Sequence, residues 1–248
     1  MNKDFIKKNL TLIIACTVDT KSIIHSKRNN IDDRLNDLNK SLPIWLSKEY
    51  FKNIIIVENS NCKPKFFSKI IENSSNSVNI DFIQYDGQDF DRNLGKGYGW
   101  AEEVKQAIRS KKFGINSDYF CLVPGRYQIP NFDKILFKAN KNLICNINLN
   151  LSFAFSPITI FPRNFIENYW LPECKNINDS LGLSMEHCQA KALLRAIADG
   201  YDWELPYEGP ILNTISAISN TNYNKGFIFS IILKYYSYLK KFVFEFKR

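Results

Sequence analysis

The 248-residue chain has only two histidines, His25 and His187. A histidine-rich metal centre is therefore excluded. Its six cysteines, Cys16, Cys62, Cys121, Cys145, Cys174 and Cys188, are scattered, with no CxxC pair. Such spacing provides neither a disulfide framework nor a zinc site. Cys16, Cys121 and Cys145 lie inside apolar runs and are expected as buried free thiols. No glycines follow the first predicted strand, where a dinucleotide fingerprint places them. A GxxxxGK[ST] phosphate loop and a GxSxG elbow are also missing. These gaps argue against a Rossmann dehydrogenase or methyltransferase, a nucleotide hydrolase and a typical sulfotransferase. Long hydrophobic runs are missing too. The N-terminal run LTLIIACTV is short and passes straight into polar chain without a small-residue cleavage site. It reads as a first strand rather than a signal peptide, and a cytoplasmic protein is expected.

The composition is 45% hydrophobic and 14% aromatic. That is enough to bury a sizeable core, and one α/β domain is the natural size class. The charged fraction of 23% argues against wholesale disorder. A net charge of +8 permits nucleic acid, anionic lipid or phosphorylated small molecules as partners. With no RNA-binding aromatic motif and no helix-turn-helix signature, nucleic acid is not favoured.

Hydrophobic periodicity predicts buried strands at Leu10–Val18, Asn53–Val57, Val78–Tyr85, Tyr119–Val123, Leu143–Leu149 and Ser156–Phe161. Helices are predicted at Asn29–Leu46, at Phe66–Glu72, after the glycine segment, and at Leu183–Ala198. Strand and helix alternate through the first half. The expected fold is α/β, a mostly parallel central sheet with helices on both faces, over residues 1–222. An amphipathic, basic C-terminal helix occupies 223–248. Ligands of such sheets bind beyond the carboxyl ends of the strands. Polar and glycine residues gather at those ends: Thr17-Val18-Asp19, Glu58-Asn59-Ser60, Asp86-Gly87 and Pro124-Gly125-Arg126.

The most informative segment is Asn93–Ile108, NLGKGYGWAEEVKQAI. Gly95, Gly97 and Gly99 surround Lys96 and Tyr98, and a helix pattern starts at once. Glycine lets backbone approach a ligand, and a helix N-terminus presents unpaired N–H groups. With Lys96 beside them, these groups suit an anion or a sugar-like ligand. The alternative is a glycine turn that merely starts a helix.

The order of LIIACTVDT, the helix with Asp33-Arg34, IIIVENSN, GKGYGWAEEVKQAI and YFCLVPGRYQIPN resembles the nucleotide-sugar glycosyltransferases of the GT-A fold. GKGYGE-like and GRY-like segments belong to bacterial transferases that assemble surface polysaccharides, lipopolysaccharide among them. The resemblance covers roughly residues 10 to 215. It implies transfer of a sugar from a nucleotide-sugar to a hydroxyl of a glycan or lipid-linked acceptor. It departs in one place. Where the family carries an Asp-x-Asp motif that holds a divalent cation, this chain has Pro124-Gly125-Arg126-Tyr127. Arg126, with Lys96, is the candidate to neutralise the leaving diphosphate without an obligatory metal. The alternatives are a strand-end salt bridge for Arg126, or magnesium or manganese held by Asp86, Asp89 and Asp91.

An inverting transfer needs a base near the acceptor hydroxyl. The resemblance points to the start of the late helix. Glu186 is the candidate base there, with His187 the second choice and acceptor-side residue. Thr17, Asp19, Glu58, Asn59, Gly95, Lys96, Gly97, Tyr98 and Gly125 are the candidate donor-binding residues. Trp100 and Tyr98 are candidates to stack on sugar or base, though aromatics also serve the core. Two other functions compete: a nucleotidyltransferase making sugar nucleotides, and a non-catalytic anion- or nucleic-acid-binding protein. The former normally has a basic glycine loop after its first strand, which this chain lacks.

In the tail, Ile228, Ile231, Ile232, Tyr235, Leu239, Phe242 and Phe246 share one helical stripe. Lys234, Ser237, Lys241, Glu245 and Arg248 lie opposite. Lysine and tyrosine interruptions make it a poor spanning helix. It fits either an interfacial helix on the anionic inner face of a membrane or a helix docked on the domain or another subunit.

Overall fold

In the computed structural model of the chain, the described residues are 9–21, 27–74, 78–141, 143–216, 219–223 and 227–246. Six strands form one sheet: β1 (Leu10–Cys16), β2 (Asn53–Glu58), β3 (Asn79–Gln84), β4 (Tyr119–Pro124), β5 (Ile144–Ile147) and β6 (Ala154–Pro162). Their order is β3-β2-β1-β4-β6-β5. The first four pair in parallel, while β6 is antiparallel to both β4 and β5. This is the expected α/β, mostly parallel sheet.

Every residue of β1 is buried, because helices cover both faces of the sheet. On one face Leu12, Ile14, Ile54 and Ile56 pack with Leu38, Leu42 and Trp45 of the Ile31–Leu46 helix, Phe67 of Pro64–Glu72 and Phe132 of Phe132–Phe137. On the other, Ile13, Ile55, Val57 and Leu122 pack with Ala101 and Val104 of the Lys96–Ile108 helix and with Cys188 and Leu193 of Met185–Ala198. Asn30 caps the first helix by accepting from the Asp32 and Asp33 amides, which sets where it begins.

The chain runs outward from β1 to β2 to β3, then crosses back over the sheet and lays β4 on the other side of β1. This reversal opens a crevice between the carboxyl ends of β1 and β4. The register aligns those ends: Cys16 faces Glu58 of β2, and Ala15 faces Pro124 of β4. Thr17, Asn59 and Gly125 are thereby brought to one edge.

Two helical pieces escape the periodicity. One is Phe132–Phe137, too short to show a period. The other joins Arg163–Phe165, Ile166–Trp170 and Leu171–Cys174, where a π turn sits between two α turns. A π turn shifts the apolar phase by one residue, so Phe165, Ile166 and Trp170 are all buried without a 3.6-residue repeat.

The Phe227–Phe246 helix docks by its polar side. The Gly209 amide donates to Ser237 Oγ at 2.8 Å, Lys240 Nζ donates to Asn146 Oδ1 at 2.6 Å, and the Phe244 ring meets Trp203 edge-on at 5.7 Å. Positions 237, 240 and 244 share one helical face. The opposite face points outward: Ile232, Tyr235, Leu239 and Phe242 are each 58–69% exposed. Lys240 is therefore buried against the domain and does not face outward. Burial pushes its ammonium down to about 8. The side chains of Ile228, Ile231, Lys234, Glu245 and Phe246, together with Lys247 and Arg248, lie outside the described residues.

Candidate functional site

A cleft of ≈ 590 Å³ lies at the crevice between β1 and β4. One wall is the loop after β4, Pro124-Gly125-Arg126-Tyr127. Three side chains hold that loop from outside. Ser41 Oγ donates to the Gly125 carbonyl, Trp45 Nε1 to the Tyr127 carbonyl at 3.0 Å, and Thr214 Oγ1 to the Arg126 carbonyl at 3.2 Å. The facing wall is the N-terminal half of the Lys96–Ile108 helix and the first turn of Met185–Ala198. Tyr127, Phe153, Phe155 and Tyr223 give the cleft an aromatic side.

The electrostatics of the β4 wall centre on Asp37. Arg28 grips both its oxygens, Nε to Oδ2 at 2.7 Å and Nη2 to Oδ1 at 2.8 Å. Arg126 Nη1 reaches Oδ2 at 2.7 Å. Arg34 lines the same cleft and donates Nε to the Thr17 carbonyl at 2.7 Å, with no ion pair among the described residues. Burial first, then the neighbouring Arg126, pushes Arg34 down to about 9, so it stays charged at neutral pH. Two guanidiniums thus hold one buried carboxylate and a third lines the same cleft, with Asp33 3.6 Å from Arg28 as a further partner. Lys96, at the mouth, has no ion pair among the described residues. On the β4 wall Arg28, Arg34 and Arg126 outnumber Asp37 and Asp33, which makes that side attractive to an anion, while Glu103, Asp179 and Glu186 line the rest of the cleft.

Across the cleft, Glu186 sits in the first turn of its helix, half-buried, and its carboxylate forms no ion pair among the described residues. The floor carries Asn59, Gln88 and Glu103. Asn59 Oδ1 accepts from Thr17 Oγ1 at 2.9 Å and from Gln88 Nε2 at 2.8 Å. Glu103 is fully buried; burial and the neighbouring Glu58 raise its carboxyl well above the usual range, against the pull of Arg34. An acid raised in this way makes folding stability fall as pH rises from the unfolded glutamate value toward the folded one.

Of the residues singled out from the sequence, Thr17, Asn59, Lys96, Gly97, Trp100, Gly125, Arg126 and Glu186 line this one cleft. Five others do not, for identifiable reasons. Glu58 is sealed beneath the loops: it accepts from the amides of Val18, Ser60 and Cys62 and from the Ser60 hydroxyl. Asp19 caps its own turn through the Lys21 amide at 2.8 Å. Gly95 lies behind the mouth at φ 80°, and a Cβ there would strike Asp179. Tyr98 turns to the opposite side of its helix, against Phe90 at 5.2 Å. His187 bonds Ser184 Oγ at 3.0 Å and lies edge-on to Phe153, behind the wall.

Gly97, besides lining the cleft, has a packing use. A Cβ on it would come within 2.5 Å of Met185 Cβ. The glycine lets the N-terminal turns of the two helices approach closely. The acidic run after β3 stays outside the cleft: Asp86 pairs with Lys21 at 2.8 Å, and Asp91 caps the Asn93 amide at 3.0 Å.

Residues not singled out as site residues are Arg34, Asp37, Gln88, Glu103 and the aromatic side. Arg34 and Glu103 carried a signal: each charge sits on an inward helical stripe, Ile31-Arg34-Leu38-Leu42 and Gly99-Glu103-Ala107. Among the described residues, no group of three or more His, Cys, Asp and Glu side chains is placed to hold a metal ion.

No protein-family model matches the chain, and no curated protein sequence matches it. Solved structures do. Over 79% of this chain and 45% of the other, it is similar to the glycosyltransferase GlyE of Streptococcus pneumoniae, at 10% identity and a TM-score of 0.45. S. aureus TarS is matched over 79% of this chain and 57% of its own, at 12% identity and a TM-score of 0.41. The 4-diphosphocytidyl-2C-methyl-D-erythritol synthase of Anaerococcus prevotii is matched over 93% and 98%, at 11% identity and a TM-score of 0.41.

Proposed function

We propose that the chain is a glycosyltransferase that moves a sugar from a nucleotide-sugar to a hydroxyl of a glycan or lipid-linked acceptor in surface polysaccharide synthesis. The observation that carries this reading is one cleft with a basic wall facing a carboxylate that forms no ion pair among the described residues. The donor diphosphate lies against Arg126, Arg34 and Lys96. Glu186 takes the proton of the acceptor hydroxyl as its oxygen bonds the anomeric carbon. The bond from that carbon to the diphosphate breaks, and the electron pair leaves on the diphosphate oxygen. The fixed cations stabilise that developing charge, which a metal would otherwise do.

Screening UDP-, GDP-, CMP- and dTDP-sugars by thermal shift tests the donor assignment. One of them is expected to raise Tm, since a ligand held at 100 times its Kd stabilises by about 2.7 kcal/mol. No shift with any of them argues against a nucleotide-sugar.

The same proposal places the protein at the inner face of a membrane, beside a lipid-linked acceptor. Support comes from the outward face of the Phe227–Phe246 helix, where Ile232, Tyr235, Leu239 and Phe242 are exposed together. Among the described residues no helix is long and apolar enough to cross a membrane. A helix of this kind lies in the interface. Flotation with anionic liposomes is expected for the full chain and lost in Leu239→Glu/Phe242→Glu at unchanged Tm. Equal flotation of both forms would remove the tail as the anchor.

A further inference from the structure

Among the described residues, six buried side-chain atoms have no hydrogen-bond partner, and three belong to residues lining the cleft: Gln88 Oε1, Trp100 Nε1 and Glu103 Oε1. Gln88 and Glu103 are 1% and 2% exposed. A buried polar atom without a partner costs on the order of 1–3 kcal/mol. Three such atoms at one cleft need a partner that the described residues do not supply.

The chemistry of the floor is specific. Gln88 cannot swing freely, because its Nε2 is committed to Asn59 Oδ1. Its Oε1 is therefore a fixed acceptor. Glu103 Oε1 lines the same cleft, and burial raises its carboxyl, favouring the protonated form, whose O–H is a donor. An acceptor and a donor lining one pocket can together meet the hydrogen-bonding edge of a heterocyclic base, where a ring or amino N–H adjoins a carbonyl or ring nitrogen.

The position along the cleft agrees. In a nucleotide-sugar, sugar and base lie at opposite ends of the diphosphate. Transfer requires the sugar beside Glu186, where the acceptor enters, and the diphosphate beside Lys96 and Arg126. Glu103 lies seven residues beyond Lys96 on the same helix, on the same face and roughly 10 Å further along its axis. The enclosed floor is the end left for the base. Resting on the donor reading above, we propose that Gln88 and Glu103 are the residues that read the base edge of the nucleotide donor and set which nucleotide is accepted.

Calorimetric titration of UDP, CDP, GDP, ADP, dTDP and inorganic pyrophosphate against wild type, Glu103→Gln and Glu103→Leu tests this. Wild type is expected to prefer one nucleoside diphosphate about 10-fold or more over the others, the scale of a well-formed paired contact to a base. Glu103→Leu is expected to bring all five within about 3-fold of each other, leaving pyrophosphate affinity unchanged. Glu103→Gln, which keeps a donor but loses the acid, is expected to retain part of the preference. Tm of each variant is measured alongside, because Glu103→Leu removes an unpartnered buried oxygen and also the carboxyl's backbone hydrogen bond at Cys16. Nucleoside diphosphate binding with the same ranking in all three proteins would overturn the base-reading role and leave the donor reading standing. A fall in Tm together with lost pyrophosphate binding would assign Glu103 to the framework and also overturn it. Failure of wild type to bind any nucleoside diphosphate would overturn both.

Discussion

Arg126→Ala is expected to lower kcat/KM for sugar transfer at least about 10²-fold, the loss seen when one preorganised electrostatic stabiliser is removed. The size follows from where the guanidinium sits. It is 7% exposed, it lines the cleft, and only one of its nitrogens is shown bound to Asp37. The remaining N–H groups can meet a diphosphate in a site where water screens little. The fold should survive the substitution, because Arg28 still grips both oxygens of Asp37. Arg126→Lys keeps the charge and loses the planar fork, so it should recover only part of the activity. Initial rates with a saturating acceptor, measured in EDTA, check the prediction. Near wild-type activity in Arg126→Ala would remove Arg126 from the mechanism. Complete loss of wild-type activity in EDTA, restored by manganese, would contradict the metal-independent part.

Glu186→Gln is expected to lower kcat by about 10²- to 10⁴-fold while leaving donor affinity within a few-fold, since a general base acts on the acceptor and not on the donor. The substitution is nearly isosteric, and the carboxylate has no ion pair among the described residues to lose. Tm should therefore stay close to wild type. Rates and donor titrations on the same preparation separate the two effects. A parallel loss of donor binding would make Glu186 a donor contact, and an unchanged kcat would leave the base elsewhere.

The sheet was legible because its strands are continuous apolar runs, which fully covered parallel strands require. All six appear close to the expected places, and the crevice at their carboxyl ends follows from the crossing order. Individual site residues were legible where the side chain points the way its loop suggests, as with Asn59 and Arg126. Glu58 shows what sequence cannot give. It stands next to Asn59, but strand alternation sends neighbouring side chains to opposite sides, so one reaches the floor and the other is consumed by loop amides. The glycines of Asn93–Ile108 had the same ambiguity. Gly97 meets Met185, a residue 88 positions later, and no local pattern announces that contact. In the tail the apolar stripe was clear, yet its orientation was not. Ser237, Lys240 and Phe244 find partners at Gly209, Asn146 and Trp203, which turns the stripe outward.

The central claim is that this cleft transfers a sugar away from a nucleoside diphosphate, rather than building a nucleotide-sugar. Anion-exchange chromatography of the products decides it. The chain is incubated in parallel with a nucleotide-sugar that shifts its Tm plus a glycan acceptor, and with a nucleoside triphosphate plus a sugar 1-phosphate. Release of the nucleoside diphosphate in the first mixture, with no pyrophosphate in the second, is the predicted result. Pyrophosphate and a new nucleotide-sugar in the second mixture, with the first unchanged, would contradict it.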